Sequence, residues 1–177
     1  MALMPVAEAL RLVLIDAKPL PVEAVPLDRA RGRVLAEDMA ALRTQPPAAV
    51  SAMDGYAVRA SDIATAPATL KVIGEVAAGH PFPKRIAAGQ AARIFTGGVM
   101  PDGSDTVIIQ ELTSREGDNV TVQKPTTKGR NVRDKGIDFS QGDVLLRKGR
   151  RLTDRDLMLA AAMNYPNVSV YHQPKVA

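Results

Sequence analysis

Several residue types are missing or rare in this sequence, and each absence excludes a kind of chemistry. The 177 residues include no cysteine, so the chain can form no disulfide, no thiolate metal site and no cysteine nucleophile. Only two histidines occur, His80 and His172, which are too few for a histidine-rich metal centre. Any bound metal is therefore expected to be a hard ion held by oxygen atoms.

Aromatic residues and long apolar runs are also scarce. Aromatic residues make up 3% of the sequence and tryptophan is absent, so the stacking platforms that bind single-stranded nucleic acids are lacking. No run approaches the roughly 18 apolar residues of a membrane-spanning helix. The apolar stretch at residues 6–15 is interrupted by Glu8 and Arg11, unlike a targeting segment. We expect a soluble, cytoplasmic protein that binds neither membranes nor nucleic acids.

Positive charge is concentrated in one segment of the chain. The net charge is +4, and residues 122–151 contain nine Lys or Arg against three Asp. Such a patch suits a phosphate-bearing or oxyanionic ligand, although Lys and Arg also protect exposed strand edges from aggregation. The ligand interpretation is favoured for Arg130 and Arg133, and the edge interpretation for residues 147–151. Nucleic-acid binding rests on charge alone and would require steeply salt-dependent affinity.

Both ends of the chain carry helical and strand patterns. Residues 5–16 have the apolar spacing of an amphipathic helix. Thr153 and Asp156 form a capping-box pattern, which predicts a second helix at 154–163 that ends at Asn164. A helical turn is expected at 27–31, and short strands at 34–39, 143–146 and 168–171.

The middle of the chain changes to the alternation typical of β-strands. Strands are predicted at residues 70–76, 92–95, 106–109 and 120–123, with Gly, Pro, Asp and Asn in the connections. These connections are too short for crossover helices, which excludes βαβ winding. The expected fold class is α+β and β-rich. A twisted β domain of hairpins or a small barrel, residues 47–139, is inserted in an elongated helix-plus-strand domain of residues 1–46 and 140–177.

Four loops combine glycine with a carboxylate, hydroxyl or guanidinium group. They comprise residues 51–57, 95–103, 110–111 and 129–138. Considered singly, the first three have a structural explanation: Asp54 in a turn, Gly97 and Gly98 in a hairpin loop, and Glu111 at a solvent edge. In the fourth loop, Asp138 either pairs with Arg133 or holds Mg²⁺, and the residues alone do not decide between these.

In this order, the four loops resemble the N-terminal half of the molybdopterin molybdenumtransferases, the family that includes bacterial MoeA and the E domain of gephyrin. The resemblance rests on Ser-Ala-Met-Asp-Gly-Tyr-Ala at 51–57, a Thr-Gly loop from residue 96 leading to Glu111, and Asn-Val-Arg-x-x-Gly-x-Asp at 131–138. The helix start at Leu152-Thr153 and the final Lys-Val-Ala also fit. One departure is Thr-Gly-Gly-Val at 96–99, where the family has Thr-Gly-Ala-Pro.

The resemblance implies an enzyme of molybdenum cofactor biosynthesis that inserts molybdate into adenylylated molybdopterin and releases AMP in a Mg²⁺-dependent step. The residues that would carry catalysis by motif position are Asp54, Asp138 and Thr96. Metal binding would fall to Asp54, Asp138 and Glu111, and substrate binding to Ser51, Gly97, Gly98 and Arg133.

The resemblance also implies a homodimer with its active site between subunits, and the molybdopterin adenylyltransferase as a further candidate partner. Members of the family continue into a molybdopterin-binding domain and a last β domain. We therefore expect this chain to be an N-terminal part that lacks activity alone, and residues 174–177 fit the start of the next strand. The alternative is a non-catalytic dimerisation or scaffolding module of the same fold.

Overall fold

The structure, a computed structural model, describes residues 4–175. The chain divides into two compact units, a terminal unit of Met1–Leu42 with Gln141–Ala177 and an inserted unit of Arg43–Ser140. The first boundary falls before residue 46 because residues 45 and 46 hydrogen-bond within the inserted unit. The Gln45 N–H donates to the Phe139 carbonyl at 2.9 Å, and the Gly136 N–H donates to the Pro46 carbonyl at 3.0 Å.

The helices and strands alternate unevenly along the chain. In chain order they are α1 (Val6–Leu14), β1 (Val22–Pro26), β2 (Met39–Ala40), β3 (Val50–Ser51), β4 (Gly55–Val58), β5 (Ala68–Val76), β6 (Gln90–Ile94), β7 (Thr106–Ile109), β8 (Thr113–Glu116), β9 (Asn119–Val122), β10 (Val132–Arg133), β11 (Val144–Leu146), α2 (Asp154–Ala162) and β12 (Asn167–Tyr171). Strands outnumber helices, so the α+β, β-rich fold class is confirmed.

The terminal unit is built from two antiparallel strand pairs and two helices. Strand β1 pairs with β12, and β2 pairs with β11. Its core contains Leu35, Leu146, Leu152, Met163 and Val170, all at most 2% exposed. No helix in the described part of the chain is long and apolar enough to cross a membrane.

The strand expected at 34–39 is wrong in its extent. Val34 and Leu35 make only isolated bridges, and the next strand begins at Met39. Asp38 explains the break, because its carboxylate accepts hydrogen bonds from the Lys148 N–H and the Arg147 guanidinium, both at 2.8 Å. The expected strand start at 174–177 is also absent at residues 174 and 175, while 176 and 177 lie outside the described residues.

Helix α2 begins as its capping-box pattern predicts. The Asp156 carboxylate accepts from the Thr153 N–H at 2.9 Å and from the Thr153 hydroxyl at 2.8 Å, and its other oxygen accepts from Arg150 at 2.9 Å. Burial raises the pKa of Asp156, but the Thr153 and Arg150 hydrogen bonds outweigh burial and hold that pKa below its ordinary value. The chain leaves the helix through Asn164, which has a positive φ of 76°.

The inserted unit contains a six-stranded sheet with the order β7-β4-β6-β5-β9-β8. All neighbours are antiparallel except β5 and β6, which are parallel and joined by residues 77–89 without a helix. Strands β3 and β10 form a separate antiparallel pair. The expected twisted β domain is confirmed, with β3, β4, β8 and β10 as additional strands.

Both faces of this sheet are covered by apolar side chains. One cluster includes Val58, Leu70 and Val120, and a second includes Val76 and Ile94. Strand β4 is buried along its whole length and is paired on both edges, by β6 and β7. The residues that directly precede β4 are therefore attached to a fully buried interior strand of the sheet.

Candidate active site

Asp54 lies in the tight loop between β3 and β4. The loop is shaped by Ser51, which is 1% exposed and whose hydroxyl donates to the Met53 carbonyl and accepts from the Met53 N–H at 3.3 Å. Ser51 therefore acts inside the loop and presents little surface to a ligand. By contrast, Asp54 is only half-buried.

Thr96 holds the Asp54 carboxylate with two hydrogen bonds. The Thr96 N–H donates to Asp54 Oδ1 at 2.8 Å, and the Thr96 hydroxyl donates to the same oxygen at 2.7 Å. The antiparallel register of β4 and β6 explains the meeting, because it sets Gly55 opposite Ile94. The structure thus brings together two of the three residues expected to be catalytic.

These contacts keep Asp54 ionised. The Thr96 N–H lowers the pKa of Asp54 most, followed by the Thr96 hydroxyl; burial opposes them, and the nearby positive charge of Arg93 lowers the pKa by a smaller amount. The second carboxylate oxygen, Oδ2, makes no hydrogen bond with the described residues and remains a negatively charged ligand atom.

Arg93 braces the same loop and was missed by the sequence analysis. Its Nη1 donates to the Gly55 carbonyl at 2.9 Å, and its Nη2 donates to Gln110 Oε1 at 2.7 Å. The guanidinium also lies 4.6 Å from the Phe95 ring centroid and 5.4 Å from that of Tyr56. A single Arg inside a strand gives no sequence signal for such a role.

The close approach of two strands fixes the residue after Asp54 as glycine. A Cβ placed on Gly55 would lie 1.8 Å from the Ile108 carbonyl oxygen on β7. Gln110, beyond β7, donates its N–H to the Asp54 carbonyl at 3.2 Å. The Asp54 loop is thus held by contacts from both strands that flank β4.

Gly97 and Gly98 shape the loop after β6. The Gly97 N–H donates to the Ser51 carbonyl at 2.9 Å, and the Gly98 N–H donates to the Phe95 carbonyl at 2.8 Å. Gly97 has a φ of 82°, which favours glycine. Both amides are occupied within the chain, so a substrate contact at these glycines would have to involve other atoms of the loop.

Arg133 and Asp138 lie on a different segment from Asp54. Strand β10 sets Arg133 opposite Val50, and the Asp138 N–H donates to the Gln45 carbonyl at 3.1 Å. Asp138 therefore lies alongside residue 45, whereas Asp54 lies beyond the opposite end of β3. The side chains of Arg133 and Asp138 are exposed. Within residues 4–175 these two side chains form no ion pair with each other.

Glu111 lies in the short 3₁₀ helix Gln110–Leu112, where its carboxylate is exposed. Nowhere in residues 4–175 do three or more acidic or histidine side chains come together as a metal site. Asp54 nevertheless fits a partial site, because Mg²⁺ commonly takes one or two protein carboxylates and completes its shell with water and phosphate oxygens. A divalent ion at Asp54 would depend on such outside ligands.

The basic segment is divided between the two units. Lys124, Arg130 and Arg133 belong to the inserted unit, and residues 147–151 belong to the terminal unit. In the terminal unit the cations make structural contacts: Arg147 pairs with Asp38 at 2.8 Å, and Arg150 pairs with Asp156 at 2.9 Å. Within the inserted unit, the basic segment contributes Lys124, Arg130 and Arg133, in addition to Arg93 beside the Asp54 loop.

Comparisons with known proteins agree on one family. The family model of the MoeA N-terminal region (domains I and II) matches residues 4–164. A molybdopterin molybdenumtransferase from Nostoc sp. is 40% identical over 159 residues, covering 88% of this chain and 36% of the relative. One from Staphylococcus aureus is 33% identical over 177 residues, covering 98% of this chain and 42% of the relative.

A solved structure of the molybdopterin biosynthesis moeA protein from Pyrococcus horikoshii shows the same fold. Its TM-score is 0.90 at 40% identity, and the match covers 96% of this chain and 46% of that chain. This chain thus spans well under half the length of the curated relatives it matches.

Proposed function

This chain belongs to the family of MoeA N-terminal regions, and from that membership we propose that it supplies one wall of a molybdopterin molybdenumtransferase active site. The proposed reaction transfers molybdate oxyanion into adenylylated molybdopterin and releases AMP. The observation that carries the proposal is the ionised Asp54 carboxylate, held by Thr96 and braced by Arg93 at the end of a buried strand. A cation that also contacts phosphate groups is bound best by a carboxylate whose position is fixed.

The chemical task is to bring two anions together. Mg²⁺, when bound, would neutralise charge on the phosphates and the oxyanion. Asp54 would orient the cation through its free Oδ2, while Thr96 fixes the carboxylate on its other oxygen. Arg133 would contact an oxyanion, and its exposed, unpaired guanidinium within the described chain supports that role. Asp138 and Glu111 are proposed as separate acidic contributors.

The proposed protein acts as a homodimer in the cytoplasm, and the molybdopterin adenylyltransferase is proposed as the partner that delivers the adenylylated substrate. Self-association is supported by helix α1, which has no buried residue. Val6 and Val13 on this helix are 85% and 77% exposed. Such an apolar surface suits burial against another protein surface.

A chimera tests the proposal directly. This chain replaces the matched region of the Nostoc relative, and molybdenum insertion with AMP release is measured. Asp54→Ala and Asp54→Asn should each lower the turnover by about 100-fold or more, because the cation ligand is lost. The matched control Glu116→Gln, on exposed strand β8, should retain turnover. Unchanged turnover in both Asp54 variants would overturn the proposal.

The exposed apolar face of α1 also favours a second candidate, a non-catalytic dimerisation or scaffolding module. The two candidates differ in their dependence on Asp54. A pure scaffold would keep its oligomeric state and lose nothing else in Asp54→Ala, whereas it would dissociate in Leu10→Glu. Sedimentation of both variants, together with the turnover assay, separates the two functions.

A further inference from the structure

A cavity of about 340 Å³ lies in the terminal unit. Two arginines, Arg33 and Arg151, line it together with residues at the end of β12, among them Tyr171 and His172. The described residues that line the cavity include no Asp or Glu. None of the roles proposed above uses this space, and its lining is rich in hydrogen-bond donors and positive charge.

Arg33 is a buried cation whose donors are incompletely used. Its side chain is only 10% exposed. Both of its side-chain hydrogen bonds with described residues use Nη2, which donates to the Glu23 carboxylate and to the Tyr171 carbonyl at 2.7 Å. The Nε–H is buried and has no partner in the described part of the chain. Buried polar groups are ordinarily satisfied, so further negative charge beside this guanidinium would be favourable.

Arg151 brings a second positive charge to the same cavity. Its Nε donates to the Gly32 carbonyl at 3.2 Å, and an isolated antiparallel bridge sets Arg151 opposite Val34, the residue after Arg33. Arg151 forms no ion pair with any described residue, unlike the other two arginines of residues 147–151. Its charge is therefore available to a ligand.

The rest of the lining adds carbon surface. The side chain of Tyr171 and the ring of Pro174 both border the cavity. Covering apolar surface of this kind is favourable by about 25 cal/mol per Å². A ligand that combines acidic groups with a short carbon chain therefore fits the lining better than an inorganic anion does.

Glu23 favours a carboxylate over a phosphate as the acidic group. The hydrogen bond from Arg33 holds the pKa of Glu23 below its ordinary value, against the opposing effect of burial. Glu23 is thus ionised at neutral pH and contacts the same guanidinium that a ligand would use. A phosphate dianion there would meet about twice the repulsion that a carboxylate meets. The planar carboxylate also matches the planar guanidinium.

We propose that this cavity binds a small dicarboxylic acid, with one carboxylate at Arg33, the other at Arg151 and the carbon chain against Tyr171 and Pro174. The inference does not rest on the proposed function, because every lining residue belongs to the terminal unit. The ligand would join three segments that are distant in sequence, so its binding would also stabilise the folded chain.

Binding is tested on the 177-residue chain by NMR titration of the ¹⁵N-labelled protein with glutarate at constant ionic strength. Saturable shifts are expected at the amides of Gly32, Arg151 and His172. Butyrate, which has one carboxylate, should bind about tenfold more weakly. Inorganic phosphate should also bind more weakly than glutarate. The inference is overturned by the absence of saturable shifts at these amides, by equal affinity for butyrate, or by phosphate binding at least as tight.

A matched pair of arginine variants locates the second carboxylate. Arg151→Gln should weaken glutarate binding by about tenfold, because one charged contact is lost. Arg155→Gln removes the same charge from an exposed position on α2 that does not line the cavity, and it should change affinity by less than about twofold. Equal losses in the two variants would reduce the effect to net charge and overturn the assignment.

Thermal unfolding gives an independent measurement of the same site. Saturating glutarate should raise the Tm of the unmodified chain and of Arg155→Gln, and at the same concentration it should raise that of Arg151→Gln by clearly less. The Tm of each variant without glutarate shows that the variant is folded. An equal Tm increase in all three proteins would mean that glutarate acts elsewhere, and it would overturn the inference.

Discussion

Arg93 Nη1 lies 2.9 Å from the Gly55 carbonyl oxygen, a hydrogen bond that ties β6 to the residue directly after Asp54. The same guanidinium reaches Gln110 and faces the ring of Phe95, the residue before Thr96. One side chain therefore contacts β4, the segment after β7 and the residue before Thr96. Its geometry requires a planar group with several donors, which lysine does not offer.

Replacement of Arg93 should affect both stability and Asp54. Arg93→Ala removes two hydrogen bonds and the ring contacts, and we expect a loss of about 1–3 kcal/mol in the free energy of unfolding. The pKa of Asp54 should rise, because a positive charge is lost. Arg93→Lys keeps the positive charge, so the pKa of Asp54 should change little. The free energy of unfolding should still fall, because lysine does not make the same contacts. Urea unfolding and NMR titration measure the two effects.

The matched control for Arg93 is Arg115→Ala on strand β8, an exposed arginine that donates to the Gly117 carbonyl at 3.0 Å. This control should leave the pKa of Asp54 unchanged. An Arg93→Ala protein with an unaltered Asp54 titration would contradict the bracing role.

Thr96→Val separates the two hydrogen bonds to Asp54. Valine removes the hydroxyl but keeps the N–H, which makes the larger contribution to the lowered pKa. We expect the pKa of Asp54 to rise yet remain below its ordinary value, and Thr96→Ser to restore it. Because the folded pKa is lowered, the hydrogen-bonded carboxylate persists at neutral pH and is lost only as pH falls through that pKa. A lower pKa in the valine variant would refute this arrangement.

Gly55→Ala tests the strand contact behind the site. The added Cβ would lie 1.8 Å from the Ile108 carbonyl oxygen, so β4 and β7 would have to separate. We expect a loss of about 3 kcal/mol or more in the free energy of unfolding. Gly117→Ala is the control, with open space around its Cβ but a positive φ of 58°, and should lose only about 1 kcal/mol. Similar losses in the two variants would contradict the close approach.

The capping aspartate of α2 should make stability pH-dependent. Its lowered folded pKa means that the Asp156 contribution is present above the unfolded pKa and is lost as pH falls through the folded value. Asp156→Asn should therefore lower the free energy of unfolding by about 1–2 kcal/mol at neutral pH, and by progressively less in acid. Urea unfolding at about pH 7 and about pH 3 checks this, with the exposed Asp154→Asn as control. If the stability difference between the unmodified protein and Asp156→Asn grew in acid, the predicted role of the Asp156 carboxylate would be wrong.

The chain without additional domains should not release AMP from adenylylated molybdopterin. It matches 36–42% of the length of the curated relatives, and within residues 4–175 no three acidic or histidine side chains come together to hold a metal ion. The chimera with the Nostoc relative provides the positive control under identical conditions. AMP release by the isolated chain above the rate without protein would show that the expected dependence on further domains is wrong.

The sequence predicted local features better than the contacts between distant segments. The capping box of α2 and the alternation at β5, β7 and β9 depend on neighbouring residues, and the structure confirms them. Strand β1 was missed because Pro21 and Pro26 bracket it, although an edge position tolerates proline.

The motifs named candidate site residues, but they did not give the geometry in which those residues meet. The motif at 51–57 pointed to Asp54, yet its contact with Thr96 depends on the pairing of β4 with β6 across residues that are distant in sequence. For the same reason the sequence could not reveal that the Gly97 N–H donates to the Ser51 carbonyl. The register of β4 against β6 sets the Asp54–Thr96 contact, and a single sequence does not encode register locally.

The pairing of β1 with β12 has a consequence for folding during translation. Val25 pairs with Val168, so the ribosome synthesises all of the inserted unit before the longest strand pair of the terminal unit can form. The inserted unit can collapse earlier, while the first residues of the chain still lack their partner. Premature termination before β12 would therefore release a polypeptide with an assembled sheet and an unpaired, aggregation-prone edge.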